Sequence, residues 1–236
     1  MKSLLAALFG ASLMFAAATD ARAADAPPAP TGPFHITGYV EVAPTATNQM
    51  IDAVKQYRDA ARGEAGAMTI EIYQELGMPS RLVTREIWRD AQAAEAHSKA
   101  ASTAALLGKL KPVQYGPVDF RAHDAHFGYS APGAGGPANG SVVIISHLDV
   151  TPNGLAQLIA LMKPLGEGTA KEQGVVTYQI LRQTVGARNH FRLFEIWASE
   201  QAWQAHNLAK HTQDFRDGLY PMLGTPYDQR KYQILN

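Results

Sequence analysis

The chain has 236 residues, 21 Lys and Arg against 21 Asp and Glu, and no cysteine. A charge near zero argues against nucleic acid or an anionic membrane surface as partner. The absence of cysteine excludes disulfides, thiolate metal sites and a lipoprotein anchor.

At the N-terminus, Lys2 precedes an apolar run from Leu4 to Ala18, and Ala21-Arg22-Ala23 places small residues before a cut at Ala24. This is the three-part layout of a secretory signal peptide over residues 1–23, and the run is too short to span a bilayer comfortably. A periplasmic or secreted location is expected, with no membrane association after cleavage. Losing Lys2, Arg22 and Asp20 leaves 19 basic and 20 acidic residues. The Ala/Pro stretch over 24–33 reads as a flexible leader.

A first unit spans 34–127. Phe34 to Val42 reads as a strand, and Pro44 and Thr45 turn the chain into a helix striped by Met50, Val54, Tyr57 and Ala61. Met68 to Leu76 and Leu82 to Trp88 read as a hairpin about Gly77-Met78-Pro79-Ser80. Asp90 caps an Ala-rich helix to about Leu107, and Val118 to Ala122 is a closing strand. Residues 128–140, rich in Gly and Pro, read as a flexible linker. The second unit, 141–236, repeats the order: strand Val142 to Val150, a helix striped by Leu155, Leu158, Ile159 and Met162, strands Val175 to Gln183 and His190 to Trp197, a helix from the cap Ser199 to Tyr220, and strand Tyr227 to Leu235.

The two units are copies. Gly66-Ala67-Met68-Thr69 matches Gly174-Val175-Val176-Thr177 at an offset of 108, and Glu86-Ile87-Trp88 with His97 matches Glu195-Ile196-Trp197 with His206 at 109. The change of offset places one extra residue in the second copy, in the loop before Arg188. Each copy reads βαββαβ, which predicts an α+β fold: two ferredoxin-like units, antiparallel sheets with helices on one face. The linker lets the units pack sheet to sheet, so the duplicated chain buries internally a face that a one-unit protein would bury in a homodimer.

The candidate site residues come from this repeat. Phe191, Leu193, Glu195 and Trp197 share one strand face, as do Leu82, Thr84, Glu86 and Trp88. An acid among apolar neighbours is costly unless paired or near water. It is therefore either a carboxylate at the edge of an apolar pocket or a structural group bonded to the helix start or an Arg. Trp88 and Trp197 fit a core that also lines a ligand cavity. His97 and His206 fit packing histidines or a general base, because imidazole titrates near neutral pH. His211 falls where the first copy has Ser102. On an unbroken helix it would lie about 140° from His206, so the two converge only if the helix kinks. His147 and Asp149 replace Tyr39 and Glu41, share a face, and could line the space between sheets. His123-x-x-His126 places its histidines on opposite strand faces and reads as solvent-exposed polar residues before the linker. No phosphate loop, dinucleotide fingerprint, nucleophile elbow or zinc-helix motif is present.

A strand ending in Glu-x-Trp, an acidic or Ser cap, then a helix carrying Ala-His resembles the antibiotic biosynthesis monooxygenase superfamily. The fuller match is Phe194-Glu195-Ile196-Trp197-Ala198-Ser199, Ala205-His206, Lys210-His211 and Phe215; the first copy keeps Glu86, Trp88 and Ala96-His97. Glu64-Ala65-Gly66 and Glu172-Gln173-Gly174 resemble the turn before the family's second strand. The resemblance implies a dimeric α/β barrel, here intrachain, with further homo-oligomerisation open. It also implies a cofactor-independent oxidation of an electron-rich phenol or quinol by O2. The catalytic candidates are then His206, His211 and Glu195, and the substrate-binding candidates Trp197, His147, Asp149, Glu86, Trp88 and His97. No metal or other cofactor is expected. The alternative is a non-catalytic small-molecule-binding or stress-related barrel. Haem chemistry ranks below both, because haem-degrading relatives carry a Trp where His206 sits and a His where Arg216 falls.

Overall fold

The computed structural model describes residues 32–236. The signal peptide and nearly all of the leader expected above lie outside the described residues. The first copy forms β1 (Phe34–Glu41), α1 (Thr47–Ala61), β2 (Ala67–Glu75), β3 (Arg81–Trp88), α2 (Ala91–Ser98), α3 (Ala101–Leu110) and β4 (Asp119–Ser130). The second forms β5 (Val142–Asp149), α4 (Leu155–Thr169), β6 (Val175–Gln183), β7 (His190–Trp197), α5 (Glu200–Leu208), α6 (Lys210–Leu219) and β8 (Asp228–Ile234).

Within each copy the strands are antiparallel, in the order β4-β1-β3-β2 and β8-β5-β7-β6. This is the ferredoxin-like order. The two sheets then join edge to edge into one closed barrel, because β2 pairs with β8 and β4 pairs with β6. Tyr73 faces Ile234 across one seam, and Phe127 faces Ile180 across the other. Among the described residues, closure leaves no unpaired sheet edge.

Strand alternation sorts side chains into two layers. Tyr73, Val83, Val143, Ile145, Phe194 and Ile196 fill the barrel interior. The opposite faces pack under the helices: Val40, Ile72 and Leu82 against Met50, Val54 and Leu106 in the first copy, and Ile144, Ile180 and Leu193 against Leu158, Met162 and Phe215 in the second. The equivalent glycines Gly66 and Gly174 hold φ of +88° and +82°, where L side chains are disfavoured. A Cβ on either would meet the Cβ of Ala93 or Ala202 at 2.6 Å, so both positions seat a strand start beneath a helix. The extra residue lies where the offsets place it: residues 76–80 connect β2 to β3, and 184–189 connect β6 to β7.

Three expectations need correction. The helix expected from Ser199 to Tyr220 is broken at Ala209, which is extended at φ −65° and ψ 142°. Its counterpart breaks the same way at Ala100. The linker expected at residue 128 starts later, because β4 continues to Ser130 and pairs Gly128, Tyr129 and Ser130 with β6. His123 is not solvent-exposed but fully buried, since β4 is an interior barrel strand there. His126, the unpaired residue at a bulge in that strand, is exposed.

Both seams pair strands from different copies, so neither sheet can lose its partner without opening an edge. The two copies are expected to unfold together, in one calorimetric transition whose calorimetric and van't Hoff enthalpies agree. Two resolved transitions would show that the copies are thermodynamically separate.

Candidate functional site

The residues singled out in the sequence fall in three places. Glu86, Trp88 and His97 lie between sheet and helices in the first copy, and Glu195, Trp197, His206 and His211 between sheet and helices in the second. His147 and Asp149 lie on the other side of the sheet, inside the barrel mouth. Among the described residues no single pocket gathers the whole set.

In the first copy the polar cluster closes on itself. The Glu86 carboxylate is fully buried. Its Oε1 accepts from Tyr57 Oη at 2.7 Å and Thr84 Oγ1 at 2.9 Å, and its Oε2 from Trp88 Nε1 at 3.2 Å. His97 stacks on Trp88 with ring centroids 4.4 Å apart. Its Nε2 lies 2.7 Å from the same Tyr57 hydroxyl, and its Nδ1 2.8 Å from Glu64 Oε2. Ser102 Oγ donates to Glu64 Oε1 at 2.6 Å. A phenol is therefore held between a carboxylate and an imidazole, and burial beside Glu86 pushes its pKa well up. Tyr57 was legible only as part of a helical stripe.

The second copy keeps the frame and changes the occupants. Trp197 Nε1 donates to Glu195 Oε2 at 2.8 Å, and Trp197 lies 4.7 Å from His206, centroid to centroid. Position 57 becomes Leu165 and Thr84 becomes Leu193, so Glu195 loses both hydroxyl donors. Burial raises the Glu195 pKa, opposed by His206, the Trp197 N–H and Arg216. A tyrosine enters from the strand instead: Tyr178, in place of Ile70, sits with its ring 5.7 Å from His206. Among the described residues its buried hydroxyl makes no hydrogen bond, and neither does the Ser146 hydroxyl.

The break at Ala209 decides the geometry of the two histidines. It rotates α6 relative to α5, so the 140° separation of an unbroken helix does not apply. His206 Nδ1 lies 2.7 Å and His211 Nε2 2.6 Å from the same oxygen, Glu172 Oε1. Glu172, just before β6, is the equivalent of Glu64. The sequence placed it only in a turn; the 108-residue offset was the signal that could have marked it.

The barrel mouth holds a cavity of about 670 Å³ between the copies. A hydrogen-bonded chain lines it: Asp149 Oδ1 to His190 Nδ1 at 2.8 Å, His190 Nε2 to His147 Nδ1 at 3.2 Å, and His147 Nε2 to Tyr39 Oη at 3.3 Å. Tyr39 and His147 are equivalent positions, so this contact joins the copies. The expectation that His147 and Asp149 line the space between sheets agrees with this placement. His190 carried no signal, because its counterpart is Arg81, which pairs with Glu41. Deeper in the barrel lies Arg192, fully buried and hydrogen-bonded to Thr37.

The antibiotic biosynthesis monooxygenase family model matches residues 33–106 and 141–218. The chain belongs to this family. Among solved structures, a candidate monooxygenase of Fusobacterium nucleatum shares 17% identity at a TM-score of 0.76, covering 87% of this chain and 94% of that one. A candidate monooxygenase from Lactobacillus acidophilus shares 11% at 0.68, covering 86% and 94%. An anthrone oxidase-like protein shares 13% at 0.66, covering 88% and 92%. At these identities the likeness concerns the fold. No curated protein is significantly similar to the chain. The Glu-x-Trp and Ala-His positions of both copies lie inside the matched segments. The His147 side of the barrel lies inside them too, so the match does not choose between the two faces of the sheet.

Two expected outcomes follow. Tyr57→Phe leaves Glu86 and His97 each short of a buried partner, and should cost about 1–3 kcal/mol in the denaturant midpoint; an unchanged midpoint would mean the cluster is not held by this phenol. Burial, with nearby Arg192 and, at His35, Arg85, lowers three interior histidines from 6.5: His35 to about 4, His147 to about 3 and His123 to about 2. Each stays neutral when folded but binds a proton below 6.5 when unfolded, so stability falls as pH drops through that window. Glu195 acts in the opposite direction, one group against three. Urea midpoints at about pH 7 and about pH 5 test the sign, and a higher midpoint at the lower pH would contradict it.

Proposed function

We propose that the second copy binds an electron-rich phenol or quinol and oxidises it with O2 without a cofactor. One observation carries this reading: the first copy already holds a phenolic hydroxyl between its carboxylate and imidazole, and the second copy keeps both groups but replaces that tyrosine with Leu165. Glu195 thereby lacks the tyrosine donor that Glu86 has, and beside His206 the buried Tyr178 hydroxyl makes no hydrogen bond among the described residues. A ligand hydroxyl would satisfy both.

The chemistry asks little of the protein. With Glu172 accepting from Nδ1–H, His206 presents Nε2 as the base, and Glu172 stabilises the imidazolium once it takes the phenolic proton. Trp197 packs against His206 with its ring tilted by 34° and limits how the imidazole can turn. Tyr178 is placed to donate to developing negative charge. The phenolate gives an electron to O2, superoxide and the ring radical combine at a ring carbon, and the peroxide loses water. A phenol and one O2 yield a quinone and one water, with every electron supplied by the substrate. Glu195, with its raised pKa, orients the hydroxyl or serves as alternate base. His211 leads the proton outward through Glu172.

We further propose that the protein acts outside the cytoplasm, from the signal-like segment 1–23. An exported enzyme benefits from needing no reduced nicotinamide. Full chain recovered from a periplasmic extract, with its N-terminus at Ala24, is the material for the assay: oxygen uptake with a panel of quinols, phenols and anthrone. Uptake should fall by about 10²–10⁴ in His206→Ala and disappear in Leu165→Tyr, which restores the first copy's occupant. No turnover above the His206→Ala background would sink the reading. Ligand-induced thermal stabilisation without oxygen uptake would select the binding-protein alternative, whose motivation is the closed, self-satisfied first copy.

A further inference from the structure

We infer that Glu172, His206 and His211 form a binding site for a divalent transition-metal cation of the zinc type. Their ligand atoms, Nδ1 of His206, Nε2 of His211 and a Glu172 carboxylate oxygen, lie within 4.8 Å of one another. They come from three separate elements: the loop before β6, α5 and α6. Two imidazoles and one carboxylate suit borderline cations, and three protein ligands leave a coordination position open for water.

The site is built rather than incidental. His211 can reach Glu172 only because the helix is broken at Ala209, and only because α4 makes room for its ring. A Cβ on Gly168 would meet His211 Cγ at 2.6 Å and Nδ1 at 2.8 Å. Glycine inside a helix costs about 1 kcal/mol relative to alanine. The first copy, which has Ser102 in place of His211, has Ala60 in place of Gly168. The glycine and the imidazole therefore occur together in one copy and are absent together from the other.

The spacing fits loading after a small expansion. Both imidazole nitrogens sit at hydrogen-bond distance from one carboxylate oxygen, whereas ligand atoms of a tetrahedral zinc stand roughly 3.3 Å apart, given bonds of about 2.0–2.2 Å. Opening by about 0.6 Å falls on side chains with freedom to move: Glu172 is 14% and His211 24% exposed, against 4% for His206. A cation would thus approach from the His211 side. The inference does not rest on the proposed oxidation and makes the opposite use of His206. A metal on Nδ1 places the imidazole proton on Nε2, so the loaded site would block the base and inhibit the oxidation.

Calorimetric titration of the metal-free full chain with Zn²⁺, and visible absorption on adding Co²⁺, test it without any substrate. The expected result is one equivalent bound, with affinity reduced on the order of a hundredfold in His211→Ser, which installs the first copy's residue. Glu172→Gln should weaken binding likewise, and circular dichroism melts establish that each variant is folded. Absence of binding heat, or a bound equivalent that neither substitution weakens, would overturn the inference.

Discussion

A sheet with helices on one side has a second side to hide, and closure of the barrel is how this chain hides it. Residues such as Val83, Ile145 and Phe194 would be exposed on an isolated unit. The β2–β8 and β4–β6 seams remove both this apolar face and the open strand edges at once. Everything functional is then sorted by which side of one continuous sheet it occupies. Glu195 and Trp197 point out, beneath the helices; Arg192 and Phe194, their neighbours in sequence, point in.

Much of this was legible. The 108- and 109-residue offsets gave the copies and even the hairpin carrying the extra residue, because side-chain period and loop length are local properties. The helix break at Ala100 and Ala209 was not. Alanine is the best helix former, and no Gly or Pro marks the bend. The break is held by tertiary bonds: in the first copy Thr103 Oγ1 donates to the His97 carbonyl at 2.8 Å, while His97 itself is pinned to Glu64. In the second, Thr212 Oγ1 stands 3.3 Å from His206 Nδ1. The burial of His123 was hidden for a related reason. A His-x-x-His beside a Gly-rich stretch looks like surface, and only the barrel seam turns that strand into an interior one.

The candidate site was legible in its shared part and obscure in its partners. Glu86, Trp88, His97 and their equivalents are marked by repetition. Their partners Tyr57 and Tyr178 are not, because each occurs in one copy only and from a different element, helix in one case and strand in the other. The barrel-mouth chain from Asp149 to Tyr39 was half visible for the same reason: His147 and Asp149 sit on one strand, while His190 comes from its neighbour.

Duplication explains why the copies could diverge. In a homodimer any change to the polar cluster appears twice, and a carboxylate stripped of donors would be paid for in both subunits. In a tandem chain the first copy can keep Glu86 saturated by Tyr57, Thr84 and Trp88, while the second leaves Glu195 with Trp197 as its one side-chain donor among the described residues. An unpartnered buried polar group, such as the Tyr178 hydroxyl of the second copy, costs about 1–3 kcal/mol, and a single seamed barrel spreads that cost over both units. The divergence is also directional. Tyr57 to Leu165 and Thr84 to Leu193 remove internal partners, whereas Ser102 to His211 with Ala60 to Gly168 add a ligating group and the space for it. Loss of internal satisfaction and gain of reactive groups in the same copy are what a site turned toward an external ligand requires; simple decay would give the first without the second.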